Sequence, residues 1–179
     1  MRKTTLTILG IIGLLVLLLG LGVACEQVAN FFTPNPPRPE ITYGEFPFRI
    51  EYEVYGERIV VEDTIICEFN GFTSISCDNQ TKYRRWKTSF ASGRAMPLGG
   101  GTVAYLEVDS ANKIYLYLGG PRYYMGDDFG GLPDCSADKY IKNSGGYSLK
   151  GVSQNELLNT YGIKVISYEF SEPIVNSFK

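Results

Sequence analysis

Chemistry in this 179-residue chain has few residue types to draw on: it holds four cysteines and no histidine. Without histidine there is no Ser-His or Cys-His nucleophile pair, no His-ligated zinc and no imidazole base near neutral pH. Cys135, in Leu132-Pro133-Asp134-Cys135, lacks the base that would activate it and reads as a loop or core residue. Carboxylates remain. A pair of them flanking a scissile bond serves as general acid and base in glycan hydrolysis. Sequence alone brings no two together, and solvated loop acids are the simpler reading. Asp127-Asp128 and the stretch from Asp109 to Asn112 supply oxygen ligands without the ligand order around a central glycine that a calcium loop needs. Gly99, Gly101 and Ala104 match the dinucleotide pattern G-x-G-x-x-A. That motif needs a strand before it and a helix after it, whereas Met96-Pro97-Leu98 precedes it and residues 102–106 continue as strand. No P-loop and no G-x-S-x-G sequence occurs. The sequence therefore assigns no catalytic residue, no metal and no cofactor.

Two segments are candidates for recognition instead. Residues 121–131, Pro-Arg-Tyr-Tyr-Met-Gly-Asp-Asp-Phe-Gly-Gly, concentrate aromatic groups, two acids and flexible joints in one stretch after a strand. Tyr123, Tyr124, Met125, Asp127 and Asp128 are its candidate binding residues, because amphipathic tyrosine suits a contact surface. A short loop helix that packs Tyr124 and Met125 into the core accounts for the same residues. Lys82-Tyr83-Arg84-Arg85-Trp86-Lys87 is the one concentrated basic patch, suited to anionic lipid headgroups or wall polymer. Its simpler reading is the wet face of an element whose aromatics point inward. From Cys25 onward there are 15 basic and 19 acidic residues, net −4, a balance that argues against nucleic acid as a partner.

The N-terminus is an address. Arg2 and Lys3 precede residues 6–24, which carry no charge, a length between that of a secretory signal and that of a spanning helix. The run ends in Leu21-Gly22-Val23-Ala24-Cys25, which resembles the lipobox of bacterial lipoprotein precursors, with Gly22 where that family usually has a larger aliphatic residue. The resemblance implies that Cys25 is acylated and becomes the new N-terminus. An uncleaved helical anchor is the alternative. Both put the chain on the cell membrane with the remainder facing outside. Residues 26–40 follow as a stalk, in which Pro34, Pro36, Pro37 and Pro39 forbid helix and favour extended polyproline II.

Residues 41–179 are then expected as a single extracytoplasmic domain. Phe46, Phe48, Ile50, Tyr52 and Val54 alternate with polar residues, a period of two that marks a half-buried strand. Pro47 on its polar side points to an edge or an irregular start. Residues 58–69 return as a second strand, and Asn70-Gly71, a strong hairpin signal, sends 72–77 back as the third strand of a meander. That hairpin would set Cys67 opposite Cys77, a possible disulfide. Residues 83–92 fit a helix face and a strand face about equally, and a short helix is expected there. Strands at 102–108 and 113–118 flank the polar turn 109–112. Ser153-Gln154-Asn155-Glu156 is a capping box, and Gly162 suits a left-handed cap, which delimits a helix over 154–161 before a strand at 163–170. The class is α+β: a mostly antiparallel sheet of meander, second hairpin and C-terminal strand, with one or two short helices.

Residues 41–49 (Ile-Thr-Tyr-Gly-Glu-Phe-Pro-Phe-Arg), 62–68 (Glu-Asp-Thr-Ile-Ile-Cys-Glu) and 173–178 (Pro-Ile-Val-Asn-Ser-Phe) resemble a group of small, membrane-anchored proteins of Gram-positive bacteria. That likeness implies location and extent but no activity. The expected role is a membrane-tethered domain that binds a partner protein or envelope component such as wall polymer. The alternative is a carboxylate-dependent envelope hydrolase.

Overall fold

The structure, a computed structural model, describes residues 32–73, 81–96, 103–127, 131–143 and 146–179. The chain divides into two compact units. The described part of one, residues 32–36, 72–73 and 81–84, is joined by a 2.8 Å bond from the Thr73 backbone N–H to Tyr83 O and another from the Tyr83 N–H to Thr73 Oγ1. The other, residues 37–71 and 85–179, holds nearly all of two four-stranded sheets.

The first sheet grows from the alternation in β1, Tyr43–Val54. Phe46, Phe48, Ile50 and Tyr52 are buried, and Glu45 and Pro47 are exposed. Glu51 departs from the pattern: it is buried on the polar side, where Arg49 at 3.2 Å and Arg58 pair with it. Tyr55 and Gly56, both at positive φ, turn the chain into β2, Glu57–Phe72, which pairs with all of β1 from Tyr43↔Glu68 to Val54↔Glu57.

Two expectations fail in this sheet. Asn70-Gly71 is no hairpin, because β2 runs through it to Phe72. The strand beside β2 is β3, Arg84–Phe90, in the segment expected to be helical. Its period is two: Trp86, Thr88 and Phe90 are buried while Arg85 and Lys87 face water. Packing decides the choice, since Trp86 meets the Phe69 ring at 5.5 Å and Phe90 meets Phe48 at 5.9 Å.

The order β3-β2-β1-β8, with β8 at Ile163–Phe170, makes β1 an inner strand, so Pro47 is not on an edge. Pairing with β8 begins at Phe48↔Phe170, one residue past Pro47, so the missing N–H leaves that ladder intact.

The second sheet is β4 (Tyr105–Asp109), β5 (Ile114–Tyr117), β6 (Ala137–Asn143) and β7 (Gly146–Val152), in that order and antiparallel throughout. The β4–β5 hairpin is the expected one. Asp109 closes its turn by accepting from the Asn112 backbone N–H at 3.0 Å and side-chain Nδ2 at 2.7 Å. The β6–β7 hairpin has no counterpart in the sequence reading.

Two short helices complete the α+β fold: α1, Pro121–Tyr124, and α2, Gln154–Tyr161. The α2 caps are as expected. Ser153 Oγ accepts from the Glu156 N–H at 3.2 Å, and Gly162 at φ 63° ends the helix. A methyl at Gly162 would also fall 2.5 Å from the Tyr55 ring. Apolar side chains from both sheets and α2, among them Ile50, Ile65, Leu116, Leu157 and Ile163, share one core.

The ends of this larger unit are sewn together. The backbones of Arg38 and Lys179 exchange bonds of 2.7 and 3.0 Å, and the Glu40 N–H donates to Ser177 O at 2.9 Å. Residues 38–40, assigned by sequence to the stalk, are therefore already held by residues 177–179. Asn176 clamps Ile41, accepting from its N–H at 3.0 Å and donating to its carbonyl at 2.9 Å. Among the described residues no helix is long and apolar enough to cross a membrane.

Candidate functional site

The candidate loop at residues 121–131 begins as α1 and turns inward. Pro121 sits in the first turn, where its missing N–H would have no helical partner anyway. The following turn points Tyr124 and Met125 into the core, and both are fully buried. The Tyr124 ring lies 4.8 Å from that of Phe46, and its hydroxyl donates to Leu118 O at 2.6 Å. The Tyr124 carbonyl accepts from the Ile174 N–H at 2.9 Å, and that of Met125 from Asn176 Nδ2 at 3.2 Å. The packed alternative thus describes these two residues, which present no side-chain surface to a ligand.

Asp127 is also buried. It accepts from Trp86 Nε1 at 2.6 Å and lies 3.9 Å from Arg122 Nε. This carboxylate satisfies the indole N–H that β3 carries inward, a structural role. Tyr123 is half-buried, edge-to-face with Tyr124 at 5.2 Å, and Asp128 lies outside the described residues.

The basic run divides similarly. Trp86 goes into the core, whereas Arg85 and Lys87 lie on the wet face of β3, and Arg85 donates to Asn70 O. Tyr83, expected to point inward with Trp86, is 39% exposed.

Cys67 and Cys135 are buried free thiols, and burial pushes each up to about 12. They are poor nucleophiles near neutral pH. Cys25 and Cys77 lie outside the described residues. With β2 continuing past Asn70-Gly71, the hairpin that was to set Cys77 opposite Cys67 is not formed.

Carboxylates gather at one open groove of about 560 Å³, lined by Glu62, Asp63 and Glu169 together with Arg49 and the Phe48 and Phe170 rings. Glu62 accepts from Arg49 Nε at 3.2 Å. Burial pushes Asp63 up, but bonds from Ser92 Oγ and the Thr64 and Ser92 N–H groups, with the Arg94 charge, outweigh it and hold its carboxyl below the ordinary range. A general acid needs the opposite shift. Among the described residues no group of three metal-ligating side chains comes together.

The surface that sequence reading missed is the β6–β7 hairpin. β5 covers only Ala137, Asp138 and Lys139 of β6. Beyond that the Tyr140 N–H still donates to Lys113 O at 3.0 Å, and Ile141 to Asn143 then pair with Gly146 to Ser148, forming a two-stranded arm. Gly146 to Gly151 are exposed without a break, and β7 is the outer strand of its sheet. Tyr140, Leu149, Lys142 and Tyr147 share one face, with Tyr140 and Tyr147 stacked at 5.2 Å. The sequence signal was weak, because an arm that buries neither face has no apolar alternation to display.

The arm also has a direction. β5 runs from Ile114 towards Leu118, where Tyr124 hangs and the chain enters through Ile41 and Asn176. The arm continues from the opposite end of β5, past the Ile114↔Lys139 pair.

Comparison with protein families, with curated proteins and with solved structures finds no match to this chain.

Proposed function

We propose that this chain is a membrane-tethered, outward-facing binding domain that takes a partner protein through its β6–β7 arm. The observation that carries this reading is the arm itself. Tyr147 and Leu149 are exposed on an outer strand that extends away from the end where the chain enters. Exposed apolar side chains beside an open strand edge are a liability unless something pairs with them. The leader, the lipobox-like Cys25 and the proline stalk supply the tether, and the likeness to small membrane-anchored proteins of Gram-positive bacteria agrees with it.

Photocrosslinking in whole cells tests the arm. A crosslinker at position 149 should capture a discrete partner, one at Asn112 in the β4–β5 turn should not, and Tyr147→Ala should abolish the capture. Equal capture from both positions, or capture unaffected by Tyr147→Ala, overturns the arm as the binding surface. Intact mass tests the tether: a chain retaining residues 1–24 overturns acylation at Cys25 and leaves the uncleaved anchor.

A further inference from the structure

A second site, with no residue of the arm in its lining, lies between the two sheets. Tyr52, Ile59 and Val61 of the first sheet face Tyr105 and Val108 of the second across a groove of about 580 Å³, within the usual range for small-ligand sites. Its floor is apolar and closely packed, with Tyr52, Val61 and Tyr105 all buried.

The two charges on its rim differ in what they already hold. Glu107 accepts a hydrogen bond from the Tyr115 hydroxyl. Arg94 is fixed by its backbone, whose N–H donates to Ser92 Oγ at 3.3 Å. Its guanidinium makes no hydrogen bond or ion pair among the described residues, and the nearby Asp63 carboxylate is taken by Thr64 and Ser92. An exposed cation with five free donors thus borders an aromatic cleft.

We infer that this groove binds a small organic monoanion with an apolar body, its carboxylate on the Arg94 fork and its ring or branched chain against Tyr52, Val61 and Tyr105. A phosphate dianion fits less well, because Glu107 on the same rim repels a second negative charge. The same chemistry comes from a free organic acid or from the C-terminal carboxylate of a peptide ending in an apolar residue.

Ligand-observed NMR on the full chain in lipid nanodiscs, with empty nanodiscs to subtract partitioning, tests it. 4-Phenylbutyrate should bind about tenfold more tightly than the neutral 4-phenylbutan-1-ol, and N-acetyl-Gly-Gly-Phe about tenfold more tightly than its amide if the peptide terminus is the source. Arg94→Gln should erase the preference and Lys150→Gln, on the outer strand β7, should leave it. Glu107→Gln, which keeps the acceptor for Tyr115, should tighten the anion by roughly twofold. A response to the acid alone assigns a free ligand, and to the peptide alone a chain terminus. No preference for either anion in the wild type, or a preference that survives Arg94→Gln, overturns the site.

Discussion

Tyr123 and Tyr124 meet at 5.2 Å, and so do Tyr140 and Tyr147, yet the pairs live in opposite surroundings. Tyr124 is fully buried, with its hydroxyl on a backbone carbonyl and Phe46 against its ring, whereas Tyr147 is 55% exposed. A ring–ring contact adds about 0.5–1.5 kcal/mol wherever it occurs. What separates the pairs is the desolvation around them. At α1 the tyrosine closes a core; on the arm it leaves apolar surface in water.

The largest expected difference between the two ends is chemical. Cys67 and Cys135, both held in the core that Tyr124 joins, are raised by burial from 9.0 to about 12. At neutral pH each carries roughly a thousandfold less thiolate than an ordinary cysteine, and labelling by a thiol reagent should slow in proportion. A cysteine placed at exposed Ser148 on the arm should react at the ordinary rate. Site-resolved mass spectrometry reads all three. Rapid labelling of Cys67 or Cys135 in the folded chain would break the contrast.

Stability comes next. Tyr124→Ala should cost about 3–5 kcal/mol, the range for removing a buried aromatic ring, as seen in denaturant midpoints. Gly126→Ala tests the same end through the backbone. Gly126 has φ 62°, and an added methyl would stand 2.5 Å from Ile174 O, so about 1–2 kcal/mol from the left-handed backbone is a floor.

Thr88→Val should act in the opposite direction. Thr88 Oγ1 is buried on β3 with no hydrogen-bond partner among the described residues, so exchanging it for a methyl should stabilise by about 1 kcal/mol. The smallest effect on packing belongs to the arm: Tyr147→Ala should cost little beyond the ring contact with Tyr140, about 0.5–1 kcal/mol as read in the thermal midpoint. A drop comparable to that of Tyr124→Ala would mean that the arm is packed rather than presented.

How much of this was legible in the sequence depended on whether an element buries one face. β1 announces itself because Phe46, Phe48, Ile50 and Tyr52 go in while Glu45 and Pro47 stay out. The α2 boundaries were legible to the residue, because Ser153 and Gly162 act through neighbouring backbone groups and need no tertiary context. β3 was misread because Trp86 and Phe90 satisfy both a helical and a strand spacing, and the partners that choose between them, Phe48 and Phe69, are distant in sequence. Asn70-Gly71 failed for a related reason. A local turn signal lost to a strand already paired with β1 as far as Tyr43↔Glu68. The aromatic loop could be read as a binding surface or as a packed cap, because composition alone does not say whether a tyrosine caps a core or waits for a partner.

The sewn ends bear on force. A pull on the chain entering at Arg38 passes through Ile41 into β1, along the strand's own axis. Because β1 lies between β2 and β8, that pull would slide it past both neighbours, loading every pair from Tyr43↔Glu68 to Val54↔Glu57 together. Bonds loaded in parallel yield only when many break at once, whereas a hairpin opened from one end gives way one pair at a time. A domain pulled through this strand would hold its fold under tension.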